Sequence, residues 1–144
     1  MQQIIETIKD FTPLQTTTYV NKRGEIAIGY NRTLGVYNGQ VCGIKEAERW
    51  LLEDIAALRR AINLSVGNIL NKHQERALIS LVHDIGLETF NASKLRQYLL
   101  NKQFTLAGNC FLTYNTNKRA VSISVIRRRQ MEHNIFNLPC EAAA

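Results

Sequence analysis

The chain has 144 residues, 45% of them hydrophobic and 21% charged, with 18 Lys and Arg against 12 Asp and Glu. That length fits one domain able to bury about two-thirds of the unfolded chain's surface. Two prolines, eight glycines and this hydrophobic share exclude collagen-like, low-complexity and generally disordered chains.

The elements follow in chain order. Ile4, Ile5 and Ile8 predict a short amphipathic helix that ends near Phe11, because Pro13 disfavours helical backbone at Thr12. Thr16 to Val20 are β-formers, Asn21-Lys22-Arg23-Gly24 reads as a turn, and Ile26, Ile28 and Tyr30 alternate with Ala27 and Gly29 as in a strand. A second turn at Asn38-Gly39 predicts a third strand or hairpin arm. From Lys45 a helical period takes over through Ala47, Trp50, Leu51, Ile55, Leu58 and Ile62, and it returns at Ala77, Leu78, Leu81, Val82 and Ile85 before the stop at Gly86. Ser93 is placed to cap a helix carrying Leu95, Leu99 and Leu100. Phe104 to Tyr114 reads as a helix interrupted by Gly108, and Ser122 to Phe136 as the last helix, holding Arg127-Arg128-Arg129. The expected fold class is α+β in a single domain: a helix and small antiparallel β-region over 1–41, a helical lobe over 42–138, and a tail over 139–144.

A net charge of +6 calls for an anionic partner, whether nucleic acid, acidic lipid or a bacterial wall polymer. Cys42, Cys110 and Cys140 form no CxxC pair, so neither a disulfide framework nor a zinc ribbon is expected. His73, His83 and His133 lack metal-ligand spacing, and His83 in its apolar stretch reads as a packing residue. No metal or cofactor is expected. The N-terminus carries Glu6 and Asp10 without a basic start and apolar core, so synthesis in the cytoplasm without a secretory signal is expected. No run approaches the ~20 apolar residues of a spanning helix.

The order of short motifs resembles the phage-type lysozymes, muramidases of glycoside hydrolase family 24. Ile8-Lys9-Asp10-Phe11, Thr18-Tyr19-Val20-Asn21, Gly24 and Ala27-Ile28-Gly29-Tyr30-Asn31-Arg32-Thr33 follow that family's first helix and hairpin. Gln74, Ala77-Leu78, Ser80, Gly86, Phe90 and Ser93 follow its central stretch, with Asp84 where an Asn is usual, and Tyr114 stands where a Trp is usual. Arg128-Arg129-Gln130-Met131-Glu132 follows its terminal Arg-Arg-x-x-Glu. The resemblance implies a lysozyme-like fold and a glycan cleft with Tyr19, Tyr30, Asn31, Arg32, Thr33, Arg128 and Arg129 as candidate lining residues. It also implies a catalytic Glu, Asp and Thr at a spacing kept by positions 12, 21 and 27, which here hold Thr12, Asn21 and Ala27.

Those three side chains change the expected chemistry. Glycoside hydrolysis needs one carboxyl to protonate the leaving oxygen and a second group to activate water or stabilise the sugar cation. Thr12, Asn21 and Ala27 supply neither. Glu25 in the hairpin is the remaining substitute, whereas Asp10 points about 200° away from Thr12 around the helix. The plain reading of the arginine triplet places one Arg inward and two in solvent. In the resembling family an inner Arg lies near the catalytic Glu, so here Asp10 or Glu132 takes over the pairing, or Arg128 and Arg129 face the cleft.

The expected function is a pseudo-muramidase that binds peptidoglycan glycan or another anionic wall polymer without cutting it, meeting the periplasm or wall after membrane disruption. One alternative is a repurposed protein-interaction module of a phage or prophage, its cleft rim altered by Asn31 and Arg32. Another is a weak muramidase (an endolysin) working through Glu25. Nucleic-acid binding rests only on net charge and the Arg triplet, without interleaved exposed aromatics.

Overall fold

The computed structural model describes residues 2–115 and 123–140, so Ser122, the expected start of the last helix, lies outside the described residues. The chain divides into two compact units, one up to Leu58 and one from Arg59 onward.

In the first unit, α1 (Gln2–Phe11) buries Ile4, Thr7 and Ile8, one stripe at helical spacing. The Thr12 N–H still reaches the Ile8 carbonyl at 2.8 Å, and Pro13 allows no further turn. β1 (Gln15–Val20) and β2 (Ile26–Gly29) pair antiparallel, with Tyr19 opposite Ala27 and Val20 opposite Ile26. The turn between them closes through Gly24 N–H to Asn21 O at 2.9 Å, with Gly24 in the left-handed region at φ 79°. The alternation expected along β2 is only partly realised. Ala27, Ile28 and Tyr30 are buried, while Ile26, at the turn end of the strand and opposite the exposed Val20, is 39% exposed.

The third arm expected after Asn38-Gly39 is reduced to a single bridge between Thr17 and Val41. Two turns precede it, with Thr33 O accepting from Val36 N–H and Tyr37 O from Gln40 N–H. Only residues 40–43 remain before the next helix starts at Ile44, and Gln40 still belongs to the second turn, so too few are left for a strand. α2 (Ile44–Val66) then begins. Within the first unit its face buries Ala47, Leu51 and Ile55. A Cβ on Gly29 would sit 3.2 Å from Ala47 Cβ, so the end of β2 rests directly on this helix.

In the second unit, α2 continues with Ile62 and Val66 buried. α3 (Lys72–Ile85) starts at a capping box: the Asn71 side chain accepts from Gln74 N–H, and the Gln74 side chain accepts from Asn71 N–H. It ends where Gly86 N–H bonds Val82 O. A five-residue helix, α4 (Leu87–Asn91), follows, and then α5 (Lys94–Leu100), capped by Ser93 Oγ accepting from Arg96 N–H. α6 (Phe104–Cys110) passes into a 3-10 helix at Phe111–Asn115. Gly108 does not interrupt this run. It lies inside α6 at a close approach, where an added Cβ would meet Asn137 Oδ1 at 2.8 Å and Phe136 Cδ1 at 3.2 Å. α7 (Ile123–Phe136) closes the unit, with the Phe136 ring 5.1 Å from that of Phe111. No helix among the described residues is long and apolar enough to cross a membrane.

Candidate functional site

Thr12, Asn21 and Ala27 all fall in the first unit. Thr12 sits at the end of α1, almost fully buried, and Ala27 is fully buried in β2. Asn21 opens the hairpin turn, and both ends of its amide are engaged. Oδ1 accepts from the N–H groups of Arg23 and Glu25, each at 3.0 Å, while Nδ2 donates to Asn31 Oδ1 at 2.9 Å. The first pair is an Asx-type turn that organises the hairpin, and the last bond ties the turn to the residue after Tyr30.

Asn31 has φ 64°, a left-handed conformation that Asn tolerates better than other residues carrying a Cβ. A glycine would meet the backbone demand at this position but could not receive the Asn21 amide. Glu25 lies in the turn rather than in β2. Its carboxylate is 2.7 Å from Arg23 Nε and about half exposed. A general acid works from an enclosed apolar setting, and Glu25 is instead exposed and ion-paired.

The other hairpin candidates are held in place. Tyr19 is half-buried and in register with Ala27. Tyr30 is buried, with Lys9 Nζ 5.5 Å from its ring centroid. Thr33 is half-buried at the start of a turn. Arg32 is turned toward α2. Nη1 lies 2.7 Å from Asp54 Oδ1 and 3.4 Å from Glu53 Oε2, the guanidinium stacks 5.8 Å over the Trp50 ring, and Nε donates to Leu34 O.

Burial raises the Asp54 carboxyl above its ordinary range, and the neighbouring Arg32 only partly offsets this. A carboxyl harder to ionise in the folded state stabilises fully below the unfolded-state value of about 3.9. That contribution is lost as pH rises through the folded value. Asp54→Asn is therefore expected to be least favourable, relative to wild type, at low pH, and to improve as pH rises toward neutrality. Urea unfolding at a series of pH values checks this. A penalty that grows with pH would show that the Arg32 pair outweighs burial.

Arg128 and Arg129 belong to the second unit, and neither is presented to solvent. Both are buried on α7, while Arg127 is exposed, so two of the triplet point inward rather than one. Arg128 Nε lies 3.2 Å from Glu132 Oε2, and Arg128 Nη2 donates to Ser80 O at 2.7 Å. Arg129 pairs with Glu132 at 3.1 Å and with Asp84 of α3, and Ser80 Oγ donates to Glu132. Of the pairing alternatives, Glu132 is the one realised, with Asp84 beside it. Asp10 is exposed on α1. Burial pushes the Glu132 carboxyl up, while Arg129, Arg128 and Ser80 pull it back. Asp84 was missed as a partner, although one signal marked it: a carboxylate standing where the resembling sequences carry an amide.

A family profile described as phage lysozyme matches residues 9–132. The chain belongs to the phage lysozyme family. It is 30% identical over 133 residues to an endolysin of Acyrthosiphon pisum secondary endosymbiont phage 1, covering 90% of this chain and 91% of that protein. It is 31% identical to an endolysin of Bacillus phage PZA over 92% of this chain and 53% of that protein, so it spans about half the length of that relative. Among solved structures, the muramidase domain of SpmX from Asticaccaulis excentricus superposes with a TM-score of 0.83 at 26% identity, over 96% of this chain and 97% of that one. Within the phage lysozyme family this chain keeps the helix, the hairpin and the helical lobe. At Thr12, Asn21 and Ala27 it carries no ionisable side chain.

Proposed function

We propose that this chain is a non-hydrolysing member of the phage lysozyme family that binds peptidoglycan glycan. The observation that carries the reading is the Asn21 amide. At the position matching the family's catalytic Asp, every polar atom of the side chain serves the hairpin. With Thr12 in place of the acid there is no proton for the leaving oxygen, and with Asn21 and Ala27 nothing activates or holds the attacking water. Glu25 is paired with Arg23 and does not replace the acid. The hairpin is otherwise retained, with Tyr19, Tyr30 and Thr33 in ordered positions, and a net charge of +6 suits an anionic wall.

The chain is expected to co-sediment with purified sacculi and to be released by soluble glycan strands. Failure to pellet, with the fold intact, would remove the glycan reading and favour the protein-interaction alternative.

A further inference from the structure

We propose that Asn38 is a self-modification site, at which the Gly39 nitrogen closes on the Asn38 side-chain amide and the Thr18 hydroxyl sets the rate. The nucleophile for this chemistry is the backbone nitrogen of the next residue, and a Cβ on that residue obstructs it. Asn38 is followed by glycine, and every other asparagine in the chain by a residue with a side chain. The space around Gly39 is also open, since an added Cβ would meet nothing within 4 Å. Asn38 is exposed, and its amide has no hydrogen-bond partner among the described residues. Asn21, Asn31 and Asn71 differ, because their side chains are held in the hydrogen bonds of the hairpin and of a helix cap. The turn itself fixes the pair. Asn38 and Gly39 form its corners, closed by Gln40 N–H to Tyr37 O at 3.1 Å and by Tyr37 N–H to Gln40 Oε1 at 3.2 Å. Gly39 takes φ 87°, which glycine adopts freely.

When the Gly39 N–H gives up its proton, the nitrogen attacks Asn38 Cγ. The N–Cγ bond forms, the Cγ–Nδ2 bond breaks, and the amide nitrogen leaves as ammonia with that proton. Water then opens the cyclic imide: attack at Cγ gives aspartate, and attack at the main-chain carbonyl gives isoaspartate. No oxidant or reductant is involved. In the folded chain the first step is held back. Gly39 N–H donates to Thr18 Oγ1 at 3.1 Å, so the nucleophile keeps its proton and faces β1 until that bond opens. Opening one ordinary hydrogen bond slows the step about fivefold. Either product adds a carboxylate to residues 26–45, which have none. Isoaspartate also lengthens the turn that leads into the Thr17–Val41 bridge, and so loosens this arm from β1.

The test follows the whole folded chain by cation exchange and peptide mapping, held at mildly alkaline pH below its melting temperature. No glycan is present, so the result is independent of the peptidoglycan reading. A less basic species is expected to accumulate, carrying aspartate and isoaspartate at position 38, with release of ammonia. Asn38→Gln should abolish it. Thr18→Val and Thr18→Ala should each convert about fivefold faster than wild type. Thr18→Ser keeps the hydroxyl and should convert at the wild-type rate. Two different removals of the hydroxyl keep the test open if one of them fails to fold. A chain that stays intact at Asn38, or converts first at another asparagine, overturns the proposal. Conversion of the folded Thr18→Val or Thr18→Ala chain at the wild-type rate also overturns it.

Discussion

Glu132→Ala is expected to destabilise the chain by about 3–5 kcal/mol, the cost of stranding a buried charge. The carboxylate is fully buried, accepts from Arg128 Nε and Ser80 Oγ, and forms an ion pair with Arg129 Nη1. Without it, two guanidiniums face the single carboxylate of Asp84, which lies 3.9 Å from Arg128 and also pairs with Arg129. The cavity left by the side chain adds to the loss. For a chain of this length the melting temperature should fall by roughly 10 °C or more. Asp10→Ala removes an exposed carboxylate and should stay within about 0.5 kcal/mol of wild type. The pair Arg129→Met with Glu132→Leu should cost less than Glu132→Ala alone, because Arg128 and Asp84 then remain balanced. Thermal unfolding of the three variants checks the set. A Glu132→Ala variant that melts like wild type would show that the cluster does not hold α3 to α7.

Thr12→Glu, Asn21→Asp and Ala27→Thr, introduced together, should create wall-cleaving activity. Each restored acid–base group is worth a factor of about 10²–10⁴, although groups acting as one unit do not simply multiply. The local structure can accept the changes unevenly. Asp at 21 keeps the oxygen that receives the Arg23 and Glu25 N–H groups and loses only the donor to Asn31, whose own amide can turn to donate instead. Ala27 is fully buried, so a threonine there must find room for two further atoms, and it is the change most exposed to overpacking. The readout is muropeptide release from sacculi. No release from a triple variant with native stability would mean that more than the three side chains has been altered.

Much of the fold was legible because local chemistry and tertiary demand agree. The turn at Asn21–Gly24, the stop at Gly86 and the cap at Ser93 are each fixed by one residue type at one backbone conformation. α4 was not legible, since five residues are too few to show a helical period. Gly108 misled because a glycine in a helix reads as a break, whereas here it admits the side chains of Phe136 and Asn137. The inward face of α7 misled most. Its buried stripe is Arg128, Arg129, Glu132 and Phe136, three charges and one ring, and an apolar-periodicity reading sends such residues to solvent. At the candidate site, the residue types at 12, 21 and 27 could be read directly from the chain. That Asn21 holds the hairpin, and that Arg32 turns to Asp54 and Trp50, depended on contacts between residues 10 and 22 positions apart.

Loss of hydrolysis is tested most directly by muropeptide release from purified sacculi by the wild-type chain, with an active endolysin as the positive control. The expected result is protein bound to the pellet and no release above buffer, with Glu25→Gln indistinguishable from wild type. Release by the wild-type chain that disappears in Glu25→Gln would contradict it and place the working acid in the hairpin turn.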